Sequence, residues 1–394
     1  MNSDRERAFV GFLLRWHGLW RLRRGRDGLR RSLRQLQDAS LPFSDLESGI
    51  LPARVADYSS MQLDELIRTG EFVWQGVRPL GAHDGQIRLF AADDFLRLGR
   101  ASIFVAGSRE QQIRELLLRE DEVDFAVMLE RLGGFPNDLA KALWKLAWNG
   151  EVSSDSLAAL RGRHASPGVR HHLRRRPRYA YRGRPPAGVA GRWRLLTKPD
   201  RGFAGQNDRQ MARAAQLLDR FGVLCRDLLA GFDEVRPCLL RLQAGDGALR
   251  TRLLDTDGDE FSAPGAEQVW REAQDRQTGG TLAAVDPANP FGELLAWPAM
   301  KGGYLPGRVP GARILVHGGA LVGYLTRGGR QLRTPEGFAD PAPVVSLLQA
   351  LAASGPVFLE SVDGAPPGDT EWHDALVGGG FSPSPRGYLL RARA

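Results

Sequence analysis

The segment LAAVDPANPFGELLAWP, residues 282–298, brings together a carboxylate, an amide and two large aromatic rings. Two prolines flank Ala288–Asn289, which holds the backbone extended or turned. Asp286 and Asn289 suit such turns because their side chains accept hydrogen bonds from nearby backbone N–H groups. The same residues also suit a chemical task. A carboxylate held rigidly beside Phe291 and Trp297 is what attack at the sugar bond of a flipped, stacked base requires. Asp286 is therefore the candidate catalytic residue, with a turn-forming role as the structural alternative.

A second pattern concerns charge. Formal net charge is +8, yet no Asp or Glu occurs between Asp155 and Asp200, an interval holding twelve Lys or Arg. Its centre reads RHHLRRRPRYAYRGR. Arginines that grip phosphates, interleaved with tyrosines that stack on bases, are the expected chemistry of a nucleic-acid contact. The candidate binding residues here are Arg161, Arg163, Arg170, Arg174, Arg175, Arg176, Arg178, Tyr179, Tyr181 and Arg182. Lys141, Lys145 and Arg241, on neighbouring helical patterns, complete the set. Arginine far exceeds lysine throughout, which a GC-rich genome also produces, so the informative feature is the acid-free interval.

Other chemistries find no motif. The sequence has no G-x-x-x-x-G-K-[ST], so neither ATPase nor helicase action is expected of it alone, and no G-x-S-x-G or H-E-x-x-H. Its seven histidines are scattered, so no metal and no cofactor is expected. The acidic DTDGDE stretch lacks the ligand spacing of a calcium loop and reads as a hairpin tip. Only Cys225 and Cys238 are present, both in stretches that read as helix, which points to a reducing cytoplasm rather than a disulfide scaffold. No apolar run reaches the roughly 18 residues of a spanning helix, so no membrane partner is expected. The N-terminal stretch reads as an amphipathic helix, with Phe9, Phe12, Leu13 and Trp16 at helical spacing, not as a signal peptide.

The elements that must position these residues repeat. Helical patterns with Leu29, Leu33 and Leu36 on one face, then SSMQLDELIRTG with Ser60 as N-cap, lead into two alternating strands, EFVWQGV and QIRLFAA. Helices followed by a hairpin give the order of a winged helix. The pattern recurs from residue 108, with Leu139, Leu143, Trp144, Ala147 and Trp148 on one face of its third helix, but without an obvious second wing strand. It recurs again from NDRQMARAAQLLDRFG, with ALRTRLLDTDGDEFSA as a wing. Beyond residue 278, GARILVH, ALVGYLT and RQLRT form a meander with tight glycine turns. The expected fold is α+β, tandem winged-helix domains followed by a small β-barrel-like module. Its expected parts are winged helices at 1–104, 105–160 and 191–276, a basic Arg/Pro-rich linker at 161–190, and the α+β module at 277–394.

Several long segments carry a resemblance. AAVDPANPFGELLAWP with PGRVPGARILVHGGALVGYLTRGGRQLRT resembles the C-terminal end of bacterial large helicase-related proteins, Lhr. SGILPARVADYSSMQLDELIRTGEFVWQGVRPLGAHDGQIRLF resembles the region following the Lhr helicase core, and ALWKLAWNGEVSSDSLAALR, GRWRLL, DRFGVLCRDLL and GGFSPSPRGYLLRA continue it in order. The resemblance implies tandem winged helices, a β-barrel module and a DNA-repair context. It further implies DNA as partner, single- or double-stranded, together with a helicase core and homo-oligomerisation. It also implies an architecture similar to AlkZ-type DNA glycosylases, and hence uracil or damaged-base excision as one activity. The glutamine-x-glutamine pattern of those enzymes has no clear counterpart. Gln111–Gln112 and Gln35-Leu36-Gln37 read as solvated helical faces, and the ending YLLRARA offers no aspartate. Three functions stay open: a DNA-binding accessory region, a glycosylase, and an oligomerising or docking scaffold.

Overall fold

The computed structural model describes residues 3–102, 106–164, 186–197, 203–273 and 279–391. These fall into two compact units. One comprises Met1–Arg23, Ser48–Ala56 and Ala214–Ala394, the other Arg24–Glu47 and Asp57–Arg213.

Chain order begins with α1 (Ser3–Trp16) in the first unit, whose Phe9, Phe12 and Leu13 are buried as their spacing predicts. The second unit then opens with α2 (Gly25–Gln35), β1 (Leu41–Pro42), α3 (Phe43–Asp45), α4 (Ser60–Arg68), β2 (Phe72–Leu80), β3 (Asp84–Ala91) and α5 (Ala92–Leu98). Leu29, Leu33 and Leu36 are buried. The N-cap of α4 is Ser59 rather than Ser60, its hydroxyl accepting from the Gln62 N–H. The three strands lie in the order β1-β3-β2.

The same unit continues with α6 (Ser108–Glu120), β4 (Glu122–Asp124), α7 (Phe125–Leu132), α8 (Pro136–Trp148), β5 (Val152–Ser154), α9 (Ala158–His164) and β6 (Arg192–Leu195). Its strand order, β4-β6-β5, repeats that of the first sheet. This sheet therefore has its third strand beyond the basic interval. Arg192–Leu195 pairs with Glu122–Asp124 on one side and Val152–Ser154 on the other. Of the expected linker at 161–190, residues 161–164 belong to α9, and strands on both sides of the basic interval share one sheet. The third helical trio begins beyond it. Trp193, Trp144 and Trp74 lock this arrangement, with Trp193 edge-on to both of the others. The Trp74 indole N–H donates to Ser154 O, and that of Trp144 to Gly188 O. Gly76 brings β2 against α8 so closely that a Cβ there would collide with the Ala147 carbonyl.

α10 (Gln206–Phe221) leads into β7 (Val223–Cys225), α11 (Phe232–Ala244), β8 (Leu249–Arg250), β9 (Glu260–Ser262) and α12 (Ala266–Glu272). The order β7-β9-β8 is the third use of one topology. Cys225 lies on a strand rather than the expected helix. The acidic tip is a turn stabilised by buried Glu260, which accepts from the Leu254 and Thr256 N–H groups. α1 packs on α12 through Phe12 and Trp270, whose rings are 5.6 Å apart.

The C-terminal part contains β10 (Gly279–Ala283), β11 (Arg313–His317), β12 (Ala320–Leu325), β13 (Gln331–Arg333), α13 (Ala342–Ala352), β14 (Val357–Leu359), β15 (Ser361–Val362), α14 (His373–Gly378), β16 (Ser382–Ser384) and β17 (Gly387–Leu390). Five strands form one sheet in the order β10-β11-β12-β13-β15, and β14-β17-β16 form another. Among the described residues the five-stranded sheet is open, with β10 and β15 at its edges, where a barrel-like closure was expected. The PVFLESVDG run divides at Glu360. Its first half joins one sheet and its second half pairs in parallel with β13 in the other. α13 fills the space beside them with Val344, Val345 and Leu348. No helix among the described residues is long and apolar enough to cross a membrane. No group of three or more His, Cys, Asp or Glu among them is placed to hold a metal.

Candidate nucleic-acid interface

The DPANP turn lies just after β10 and is built from its own side chains. The Asp286 Oδ1 accepts from the Ala288 N–H at 2.8 Å, and the Asn289 Oδ1 accepts from the Phe291 N–H at 3.0 Å. The Asn289 amide donates to Ala284 O at 2.8 Å. Gly292, at φ +78°, leaves room for the Trp297 indole, which stacks on Phe291 at 5.9 Å. The carboxylate and the aromatic surface are thus both present, as the sequence suggested.

What surrounds Asp286 was not visible in the sequence. Its carboxylate is 1% exposed and meets the Arg54 guanidinium, itself 0% exposed, as a fork: Nη2 to Oδ1 at 2.6 Å and Nη1 to Oδ2 at 2.8 Å. Arg54 Nη1 also donates to Ile50 O, and Nη2 to His17 Nδ1 at 3.1 Å. A guanidinium has no acceptor, so His17 is the neutral tautomer with its proton on Nε2. Burial first, then Arg54, Arg23 and Arg220, hold the His17 pKa well below the ordinary histidine value. Asp286 is therefore an ion-paired carboxylate sealed from solvent. The partners that seal it lie more than 200 residues away in sequence.

One exposed basic face lies in the other unit, on α8. α8 is the last helix before β5 and β6. Pro136 starts it, and Phe135, just before, is 78% exposed. Along the same face stand Lys141 and Lys145, with Arg109 of α6 beside them. Together with Glu110, Gly134, Asp138 and Ala142 they line an open cavity of about 400 Å³. Arg109 is anchored by donating to the carbonyls of Leu132 at 3.0 Å and Gly133 at 2.6 Å, satisfying the end of α7. Lys145, half-exposed, meets buried Glu110 at 3.1 Å, and Lys141 meets Asp138 at 3.6 Å as an exposed pair. An exposed pair such as Lys141–Asp138 is weakly held and open to exchange for another anion.

The other candidates divide. Arg161 is committed internally, forking onto Glu47 and Asp64 at 2.7 and 2.6 Å, which ties α9 to the first winged helix of the same unit. Arg163 lies over the Trp144 ring at 4.6 Å and donates to Ala82 O. Arg241 is exposed on α11, in the other unit. Arg170, Arg174, Arg175, Arg176, Arg178, Tyr179, Tyr181 and Arg182 lie outside the described residues. Gln35 and Gln37, read as a solvated face, are buried: the Gln37 Oε1 accepts from the Ala91 N–H at 2.7 Å and its amide donates to Asp94 at 3.1 Å. Gln111 does lie on an exposed face, where its amide donates to Glu115. Arg109 and Phe135, which line this cavity, were not among the residues the sequence singled out. The signal was the Gly-Gly-Phe-Pro run, which marks a helix start and says nothing of which way the ring faces.

Residues 5–92 match the family described as "Large helicase-related protein, winged-helix domain". The chain is 31% identical over 92% of its length to the Lhr helicase/uracil glycosylase of Escherichia coli (strain K12), covering 26% of that protein. It is 31% identical over 98% of its length to the Lhr helicase/probable uracil glycosylase of Mycolicibacterium smegmatis (strain ATCC 700084 / mc(2)155), covering 28% of it. Among solved structures, Streptomyces sahachiroi DNA glycosylase AlkZ shares the fold with a TM-score of 0.51 and 13% identity, over 90% of this chain and 96% of that one. The chain is thus a homologue of the large helicase-related proteins, spanning about a quarter of their length and carrying their winged-helix domain at residues 5–92.

Proposed function

We propose that this chain is a DNA-binding region of a helicase-related repair protein, and that the second winged helix makes the principal grip. The observation that carries this is the α8 face, where Phe135, Lys141 and Lys145 stand exposed together beside Arg109. The acid-free basic interval is inserted in the wing of the same domain. Cations on a recognition helix contact phosphates, and an exposed ring stacks on an unpaired base. Deleting residues 165–185 and substituting Lys141 and Lys145 should each weaken salt-sensitive binding to labelled oligonucleotides. Unchanged affinity in both variants would refute the assignment.

A second reading, base excision, is favoured by the relatives named uracil glycosylase and by the fold shared with a DNA glycosylase. For that reading Asp286 is proposed as a positioning residue that holds the Phe291–Trp297 stack in place. Its carboxylate is buried behind the fork with Arg54 and presents no open face to a substrate. Release of uracil from oligonucleotides containing one deoxyuracil tests the activity, and Asp286→Asn tests the role. A helicase motor as partner, self-association and a cytoplasmic setting are further proposals. They rest on the relatives' names, the family resemblance and the scarcity of cysteine.

A further inference from the structure

The loop from Met300 to Ala312 carries an apolar side chain at its tip. Leu305 is 89% exposed, more than any other large hydrophobic residue described. The loop around it is fastened on both sides. Before it, the Lys301 N–H donates to Thr334 O at 2.9 Å, and Tyr304 leans on Tyr324 with the Arg333 guanidinium 4.9 Å from its ring. After it, the Tyr324 hydroxyl donates to Gly307 O at 2.9 Å. Arg308 clamps the carbonyls of Asn289 at 2.6 Å and Asp286 at 3.1 Å and meets Glu293 at 2.9 Å. Pro306 fixes its own φ and holds Leu305 extended. The tip is a rigid projection of one leucine.

The sequence around the loop is rich in cations. No Asp or Glu occurs between Glu293 and Glu336, an interval containing Lys301, Arg308, Arg313, Arg327, Arg330 and Arg333. Three of these meet carboxylates: Lys301 with Glu371, Arg308 with Glu293 and Arg330 with Glu360. Arg313, Arg327 and Arg333 have no carboxylate within ion-pair distance among the described residues. These cations lie in a different unit from α8 and are a separate observation.

We propose that Leu305 is a duplex wedge, entering a weakened base step while Arg333, stacked on Tyr304 beside it, and other cations of the same unit hold the flanking phosphates. Proteins that kink DNA use this combination of an apolar side chain at the step and cations at the backbone. A preformed loop presents the wedge without an ordering cost, and a mismatched or damaged step yields most readily because it has least stacking to lose. One leucine is too small an anchor for a lipid surface, which needs a larger buried apolar face.

The proposal rests on the DNA-binding reading, and the test separates the two. A duplex carrying 2-aminopurine beside a U·G mismatch reports unstacking by a rise in fluorescence, and a terminal dye on the same duplex reports binding by anisotropy. The intact chain should bind and raise the fluorescence several-fold. Leu305→Ala should keep its affinity within about twofold, since phosphate contacts supply most of it, yet lose the fluorescence rise. Leu305→Phe should restore it. Binding with no rise in the intact chain, or an undiminished rise in Leu305→Ala, overturns the wedge and leaves DNA binding standing. Absence of any binding overturns the DNA reading and the wedge with it. Leucine-dependent capture by anionic vesicles without unstacking would reassign the tip to a membrane surface.

Discussion

Substitution of Asp286 by alanine should strongly destabilise the first unit. The carboxylate and the Arg54 guanidinium are at most 1% exposed and share two hydrogen bonds of 2.6 and 2.8 Å. Removing one partner leaves a buried charge without compensation, which costs about 3–5 kcal/mol. The bond to the Ala288 N–H disappears as well, adding about 1 kcal/mol. Asp286→Asn keeps that bond and leaves only the charge exposed to the low dielectric, so about 3 kcal/mol is expected. The double variant Arg54→Met, Asp286→Asn removes both charges and should return to within about 1–2 kcal/mol of the intact protein, because replacing a buried pair by apolar volume is often neutral. Urea denaturation gives the free energies, and hydrogen exchange across β10 and β11 assigns the change to this unit. A loss below about 1 kcal/mol in Asp286→Ala, or a double variant as unstable as the single, would refute the reasoning. The cycle also guards the excision assay, since lost activity in an unfolded Asp286→Ala carries no mechanistic weight.

His17 should make stability depend on pH. Its folded pKa is lowered by burial and the surrounding arginines, so below the ordinary value of 6.5 the unfolded chain binds a proton that the folded chain refuses. Stability should therefore fall as pH drops below about 6.5, and His17→Gln should flatten that slope; identical profiles would contradict it. Gly76→Ala should destabilise the second unit by about 1–3 kcal/mol, because its Cβ meets backbone at Ala147 rather than a movable side chain, and a melting curve reads the effect. Lys141→Ala with Lys145→Ala should lower the salt slope of DNA binding by roughly 2, near 0.9 for each phosphate that is no longer neutralised. Phe135→Ala should weaken single-strand binding by about 1–3 kcal/mol through the missing stacking surface while leaving the melting curve unchanged.

Local pattern made much of the architecture legible. The buried faces of α1, α2 and α8 follow from helical spacing, the β2–β3 hairpin from strand alternation, and the aromatic turn at residues 282–298 from its prolines. Each of these depends on neighbours a few residues away, which is the range over which periodicity carries information. The wing strand β6 was illegible because four residues have no period of their own; its identity comes from strands about 40 and 70 residues earlier in the chain. Gln35 and Gln37 looked solvated because an amide is polar, yet Gln37 is held inside by the Ala91 N–H that needs an acceptor. The sequence by itself determined a helical pattern occurring three times, with a hairpin after the first and the third, a basic interval and a proline-flanked turn bearing Asp286. Only tertiary structure decided that Asp286 faces Arg54 across 232 positions of chain. It also decided that Arg161 is bound to carboxylates while Phe135 and Leu305 face solvent. Long-range pairing depends on which surfaces meet after the chain has closed its loops, and no local spacing encodes that meeting.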